Sequence, residues 1–355
     1  MAKKKAAKPA KVQLPWPVSV GLWFIESAGG DRFTSAYKKG IPVIDRIHLA
    51  GTMRGVRGVE MHYPYEVTED NFDAVCKAAK DNGLRIVTIC PGLFNEPYFK
   101  DGAFTSKDRR IRKKAVERFK TAMQMDAKLR RRKLGGDFAI YWPAADGCSY
   151  TLESYHPDKR KMMRDCLVEV LESVPGLIAM EHKPSDPAHK TYSGTTGETV
   201  LMCKEVQEQL GAKRRRIGMN PELAHLLMAD ADIGADMSLI LENDLLLHTH
   251  WNTIKRLGPD TDQMVGADNW NQTMEVFFWL DEYKYDHWLG LDLCPKSEYT
   301  PDAVDVSIEA MERMYAEVMS VKDRLKVNMR DPKSDASANL RLLMKARGAK
   351  YEKLK

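Results

Sequence analysis

Past a lysine-rich start, short apolar runs alternate with longer segments in which apolar residues recur at helical spacing. The runs are Ser19–Phe24, Gly58–His62, Leu84–Ile89, Phe138–Trp142, Leu177–Glu181, Ile217–Asn220, Leu245–Thr249 and Trp288–Leu293. None shows the polar alternation of a half-exposed strand, so each predicts a parallel strand buried on both faces. Between them, Phe72–Asn82, Asp108–Leu134, Lys159–Val174, Glu198–Leu210, Trp270–Tyr283 and Thr300–Val321 predict helices. Thr68 and Ser106 read as N-terminal caps, and Gly83 and Gly211 stand where glycine closes a helix. Strands and helices alternating eight times without a linker predict an α/β fold, a (β/α)₈ TIM barrel. A doubly wound open sheet would carry a glycine-rich first turn, which Ser27-Ala28-Gly29-Gly30 is too weak to supply. The expected layout is a disordered lysine-rich tail over 1–14, the barrel over 15–325 and a short helical arm over 326–355.

Composition narrows the setting. Of 355 residues, 43% are hydrophobic and 30% charged, enough to bury a core. No apolar stretch reaches membrane-spanning length and no apolar segment follows the basic start, so no membrane partner is expected and the cytoplasm is the expected location. Six scattered cysteines without a CxxC pair read as reduced thiols. The net charge of +5 is matched by Lys3, Lys4, Lys5, Lys8 and Lys11, which leaves a neutral body poorly suited to nucleic acid. The basic runs from Lys107 to Lys133 and from Lys213 to Arg216 read as solvated faces or subunit contacts.

A barrel of this kind places its chemistry where strands end and βα loops begin. Glu181 and Lys183 lie at the end of the fifth strand, Asn220 and Glu222 at the sixth with His225 one turn on, His248 and His250 at the seventh, and Asp292 at the eighth. Asp260 and Asp262 follow in the loop after the seventh. Five carboxylates on one rim repel one another unless cations hold them. Oxygen donors with a minority of histidine and no thiolate point to Mg²⁺, Mn²⁺ or Co²⁺. Glu222 and His225 share a helix face if the segment after Pro221 is helical. So many ligands fit two ions sharing a carboxylate better than one.

These residues resemble the xylose isomerases and their relatives. The resemblance runs from GLW (Gly21–Trp23) through LF-x-x-P-x-FKDGAFT (Leu93–Thr105), YW (Tyr141–Trp142), E-x-KP-x-x-P (Glu181–Pro187), NPE-x-x-H (Asn220–His225) and D-x-D followed by GA (Asp260–Ala267) to Asp292. It implies two divalent ions: Glu181, Glu222, His250 and Asp292 would hold one, and Glu222, His225, Asp260 and Asp262 the other. Lys183 would hydrogen-bond the sugar carbonyl, His62 would assist ring opening and Asp260 would join the catalytic group. Trp23, Phe94, Trp142 and Asn220 would contact the sugar, and Phe33 would reach a neighbouring subunit's pocket in a homo-oligomer, a dimer or tetramer. The implied reaction is an aldose–ketose isomerisation by a 1,2-hydride shift on the open-chain sugar.

The chain departs from the pattern at three positions. His250 stands where the xylose enzymes carry aspartate, which is similar to L-rhamnose isomerases. Tyr65 occupies the place of an aspartate that orients the histidine at position 62, and Cys294 that of a second lysine. The alternatives are a one-metal sugar or polyol epimerase, dehydratase or C-glycoside-cleaving enzyme on the same barrel, an apurinic-endonuclease-like phosphodiesterase, and a non-catalytic metal-binding barrel.

Overall fold

The computed structural model describes residues 13–27, 36–211 and 216–347. The tail through residue 12, Phe33 and most of the Lys213–Arg216 run lie outside them. Along the chain come β1 (Val18–Gly21), α1 (Val43–Thr52), β2 (Val56–Tyr63), α2 (Phe72–Asp81), β3 (Arg85–Pro91), α3 (Arg109–Arg132), β4 (Ala139–Tyr141), β5 (Gly147–Cys148) and α4 (His156–Ser173). These are followed by β6 (Ile178–Met180), β7 (Lys190–Thr191), α5 (Thr196–Gln209), β8 (Ile217–Met219), α6 (Leu223–Met228) and α7 (Ile233–Glu242). The chain then forms β9 (His250–Trp251), α8 (Trp270–Glu282), β10 (Leu289–Leu291), α9 (Thr300–Met319), α10 (Lys322–Asn328) and α11 (Ala336–Arg347).

Parallel pairing runs β3-β2-β1-β10-β9 in one arc and β4-β6-β8 in another. Parallel bridges join the arcs at both seams: Ile86 with Gly135, Met219 with Leu246, and Glu222 with His250. The result is the expected eight-stranded α/β barrel. β5 and β7 pair antiparallel outside it.

Burial explains why these runs become strands. The main core lies between strands and helices, where Val59, Met61, Ile86 and Ile89 meet helix residues such as Val75, Phe119 and Ala122. A second apolar cluster consists of Val87, Cys90, Phe138, Ile140, Ala179, Leu247 and Trp288, and fills the barrel interior. Because alternate strand residues face opposite sides, Gly58, Glu60 and His62 point inward while Val59 and Met61 point out. Gly58 has no room for a side chain: a Cβ there would stand 2.6 Å from Val87 and 2.8 Å from Trp288.

Several boundaries differ from the sequence reading. The first strand ends at Gly21, so Trp23 and Phe24 sit in the following turn. The seventh is displaced toward its C-terminal end, with the ladder carried by Leu246 and by His250–Trp251. The caps also move. Asn71 rather than Thr68 precedes α2, its Oδ1 accepting from the Thr68 amide. Asp108 rather than Ser106 caps α3, because its carboxylate accepts the Arg110 amide. Gly83 and Gly211 do close their helices, with φ of +66° and +56°. On α3 much of the basic run is internally paired: Arg118 with Glu96, Lys120 with Glu117 and Glu169, and Arg132 with Asp73. α11 lies against α9, with Ala346 buried. Among the described residues no helix is long and apolar enough to cross a membrane.

Candidate metal centre

Glu181 follows β6, Glu222 precedes α6, His250 opens β9 and Asp292 follows β10, so four strand ends deliver four side chains to one point. Their ligand atoms all lie within 4.8 Å of one another. A second group, Glu222, His225 and Asp260, meets the same criterion and shares Glu222. The helical spacing expected after Pro221 is present, and His225 Nε2 comes 3.3 Å from Glu222 Oε1 and 3.2 Å from Asp260 Oδ2. Asp262, held at φ +40°, abuts this group, where Asn252 Nδ2 donates to both Asp262 Oδ1 and Glu222 Oε1 at 2.8 Å.

The electrostatics are those of crowded, buried carboxylates. Burial, then Asp260, Asp262 and Asp292, push the Glu222 carboxyl well above the usual range. Burial and Asp260 do the same to Asp262. Burial raises Asp292 to about 6, despite His250 and the Trp23 Nε1 hydrogen bond of 2.7 Å that favour its charge. Two carboxylates go the other way. Burial opposes it, but His250 holds Glu181 low, and His225 with Lys183 holds Asp260 low.

Polar atoms left without hydrogen-bond partners mark the same place: His250 Nδ1, Asp260 Oδ1 and Asn220 Oδ1 are all buried. His250 Nδ1 lies 2.8 Å from Glu181 Oε2 and 3.5 Å from Asp292 Oδ2. Repelling carboxylates plus bare donor atoms fit a divalent cation. Oxygen-rich donors with imidazole suit Mn²⁺, Co²⁺ or Mg²⁺.

Above the carboxylates is a cavity of about 660 Å³, lined by Trp23, His62, Phe94, Trp142 and Lys183 among others. Trp23 and Phe94 pack on the His62 ring at centroid distances of 4.6 and 5.7 Å, and Phe94 meets Trp142 at 4.6 Å. Lys183 Nζ lies 5.0 Å from the Trp142 ring and 2.6 Å from Asp260 Oδ2. Asn220, expected to touch the sugar, is instead fully buried and absent from the cavity wall. Its Nδ2 donates to Glu181 Oε2 at 2.6 Å, which makes it a support for that carboxylate.

Three residues escaped the sequence reading. Glu66, four residues after His62, places Oε2 3.3 Å from His62 Nδ1 and 2.7 Å from the His62 amide. A carboxylate therefore does face His62, one position beyond the place Tyr65 fills. Tyr65 instead lays its ring near Gly92 and donates to Glu96. Asn252 ties Glu222 to Asp262. Glu60, fully buried within β2, binds His248 Nε2 at 2.9 Å and His250 Nε2 at 3.0 Å. An acidic residue inside an otherwise apolar strand, as in Val59-Glu60-Met61, was the available signal.

A (β/α)₈ barrel with a carboxylate and histidine rim is the class of protein that fold and site define. The family model described as "Xylose isomerase-like TIM barrel" matches residues 48–316, and the chain belongs to that family. Curated relatives include the xylose isomerase of Thermus thermophilus, 26% identical over 278 residues, covering 74% of this chain and 67% of the relative. The xylose isomerase of Thermus caldophilus is 26% identical over 266 residues, covering 70% of this chain and 65% of the relative. The chain thus spans about two thirds of the length of these relatives. Similar solved structures include a D-tagatose 3-epimerase-like protein, with TM-score 0.63 and 14% identity over 87% of this chain and 99% of that one. An L-ribulose 3-epimerase matches with TM-score 0.59 and 15% identity over 90% of this chain and 100% of that one. At such identities these two structures speak for the fold alone.

Proposed function

We propose that this chain is a divalent-metal-dependent aldose–ketose isomerase that moves hydride between C1 and C2 of an open-chain sugar. The observation that carries this reading is the membership of Glu222 in two ligand groups at once. Glu181, Glu222, His250 and Asp292 would hold one ion, and Glu222, His225, Asp260 and Asp262 the other. When bound, the ions supply Lewis acidity toward the sugar's oxygens. Trp23, Phe94 and Trp142 offer apolar faces to the sugar and exclude water. Lys183 donates a hydrogen bond to the carbonyl end, where negative charge develops. His62, held by Glu66, would move a proton during ring opening. As hydride moves from C2 to C1 the proton on O2 must pass to O1, and Asp260, kept ionised by His225 and Lys183, would accept a hydrogen bond from that hydroxyl.

A one-metal epimerase is the second reading, and a specific observation favours it: Asp260 is already neutralised by Lys183 and faced by His225. Incubation of aldoses and ketoses with Mn²⁺ in D₂O separates the two. A hydride shift interconverts aldose and ketose with little deuterium in the product, whereas epimerisation through proton abstraction incorporates solvent deuterium. No turnover of any sugar would remove both readings.

A further inference from the structure

Glu60 and His248 have no part in the reaction proposed above, yet both are fully buried inside the barrel. A carboxylate in such a place needs donors. Glu60 has three: Ser19 Oγ at 2.6 Å and His248 Nε2 at 2.9 Å on Oε1, and His250 Nε2 at 3.0 Å on Oε2. The separations are hydrogen-bond lengths. The layer is also filled to contact, because a Cβ on Gly290 would stand 2.6 Å from both Glu60 Oε1 and His248 Nε2. Glu60, His248 and His250 therefore form a hydrogen-bonded network that ends on a ligand of the metal centre.

We infer that Glu60 is a positioning residue of the metal centre: it accepts the Nε2 hydrogen of His250 and so leaves Nδ1, which faces Glu181 and Asp292, as the nitrogen that would take an ion. The inference rests on the metal-binding reading above. His250 Nδ1 approaches Glu181 Oε2 to 2.8 Å, yet the two are not aligned as a hydrogen bond and Nδ1 has no partner. Ligand atoms that face a common point, and not each other, have this geometry. The ring is confined on its other sides by Trp23, with centroids 6.1 Å apart, and by His248 at 5.2 Å. A carboxylate on the far nitrogen fixes both the tautomer and the orientation of a ligating imidazole and strengthens it as a donor. Ser19 and His248 in turn pin the Glu60 carboxylate, so the network runs from β1 and β2 to the ligand on β9.

The test uses the full chain with Mn²⁺ titrated by calorimetry, and the Zn²⁺-loaded ¹⁵N-histidine protein for NMR. Glu60→Gln should weaken Mn²⁺ binding about 10–100-fold, the usual cost of losing such a partner. Ser19→Ala should weaken it less. Independently of any variant's folding, His250 of the wild-type protein should keep its proton on Nε2 and show the metal-induced shift at Nδ1. Ligation through Nε2, or a folded Glu60→Gln variant that binds Mn²⁺ as tightly as wild type, would overturn the role of Glu60 alone. A wild-type protein that binds no ion overturns the metal-binding reading together with it.

Discussion

Lys183 Nζ stands 2.6 Å from Asp260 Oδ2, an ion pair in which both partners are largely shielded from water. Burial lowers the affinity of Lys183 for its proton, but Asp260 outweighs it and the net shift is upward, so the lysine is charged. The same cation that would steady developing charge on a sugar oxygen also offsets a carboxylate placed to bind metal. The two roles make opposite demands on a variant. Lys183→Met should lower turnover ~10²–10³-fold, as loss of one preorganised donor does. It should also raise metal affinity severalfold, because Asp260 is freed. Turnover at saturating Mn²⁺ measured beside calorimetric affinity checks both, and near-normal kcat would remove Lys183 from the mechanism.

Glu222 belongs to both ligand groups, whereas Asp260 belongs to one. Mn²⁺ should therefore bind wild type at two ions per chain, Asp260→Asn at one, and Glu222→Gln weakly at either site. Elemental analysis of Mn²⁺-equilibrated protein reads the stoichiometry directly. Filling a site at 1,000 times its dissociation constant should add about 4 kcal/mol to folding stability, and chelator should reverse the gain. One ion at saturation in wild type would favour the epimerase reading.

The barrel was legible because its strands are apolar on both faces and therefore stand out as runs such as Leu84–Ile89 and Ile217–Asn220. The rim was legible for a related reason: polar residues in this fold collect where those runs stop. Contacts that cross the barrel carry no such signature. Glu60 meets His248 and His250 across 188 and 190 residues, and no local spacing encodes that approach. Asn220 illustrates the converse, since its position at a strand end is correct but its side chain turns beneath Glu181. Boundaries moved by a few residues at strands one and seven, where turns and single bridges replace regular ladder.

The Glu66 carboxylate bears on whether Tyr65 leaves His62 without an orienting partner. Glu66 also lies 3.9 Å from Arg46, and although burial favours its neutral form, His62 and Arg46 keep its pKa below the ordinary value. Glu66→Gln should slow reaction of a ring-closed sugar by on the order of 10-fold or more, the low side of what a positioned acid–base group contributes. Mn²⁺ affinity should not change. Glu66→Asp should recover part of the rate. Equal rates for wild type and Glu66→Gln on a substrate presented as its closed ring would exclude this role.

A final prediction concerns stability away from the site. Asp126 on α3 is 1% exposed; its Oδ1 accepts from the Ile89 amide at 3.1 Å and its Oδ2 has no partner. Burial raises its pKa well above the carboxylate range, against a lesser opposing effect of Arg130. The folded state therefore holds a proton that the unfolded chain, with a pKa of about 3.9, has already released. In that window the native protein binds more protons than the unfolded one. The contribution of Asp126 is thus fully present below about pH 4 and is lost as pH rises toward its folded pKa, with a slope of at most about 1.4 kcal/mol per pH unit. Asp126→Asn keeps the acceptor for Ile89 and removes the titration. Its stability relative to wild type should rise with pH: within about 1 kcal/mol at pH 5, and equal to or above wild type at pH 8.5. Urea midpoints of both proteins in chelator at the two pH values measure the difference. Curves that stay parallel would mean that Asp126 is ionised in the folded state, and the argument from its burial would be wrong.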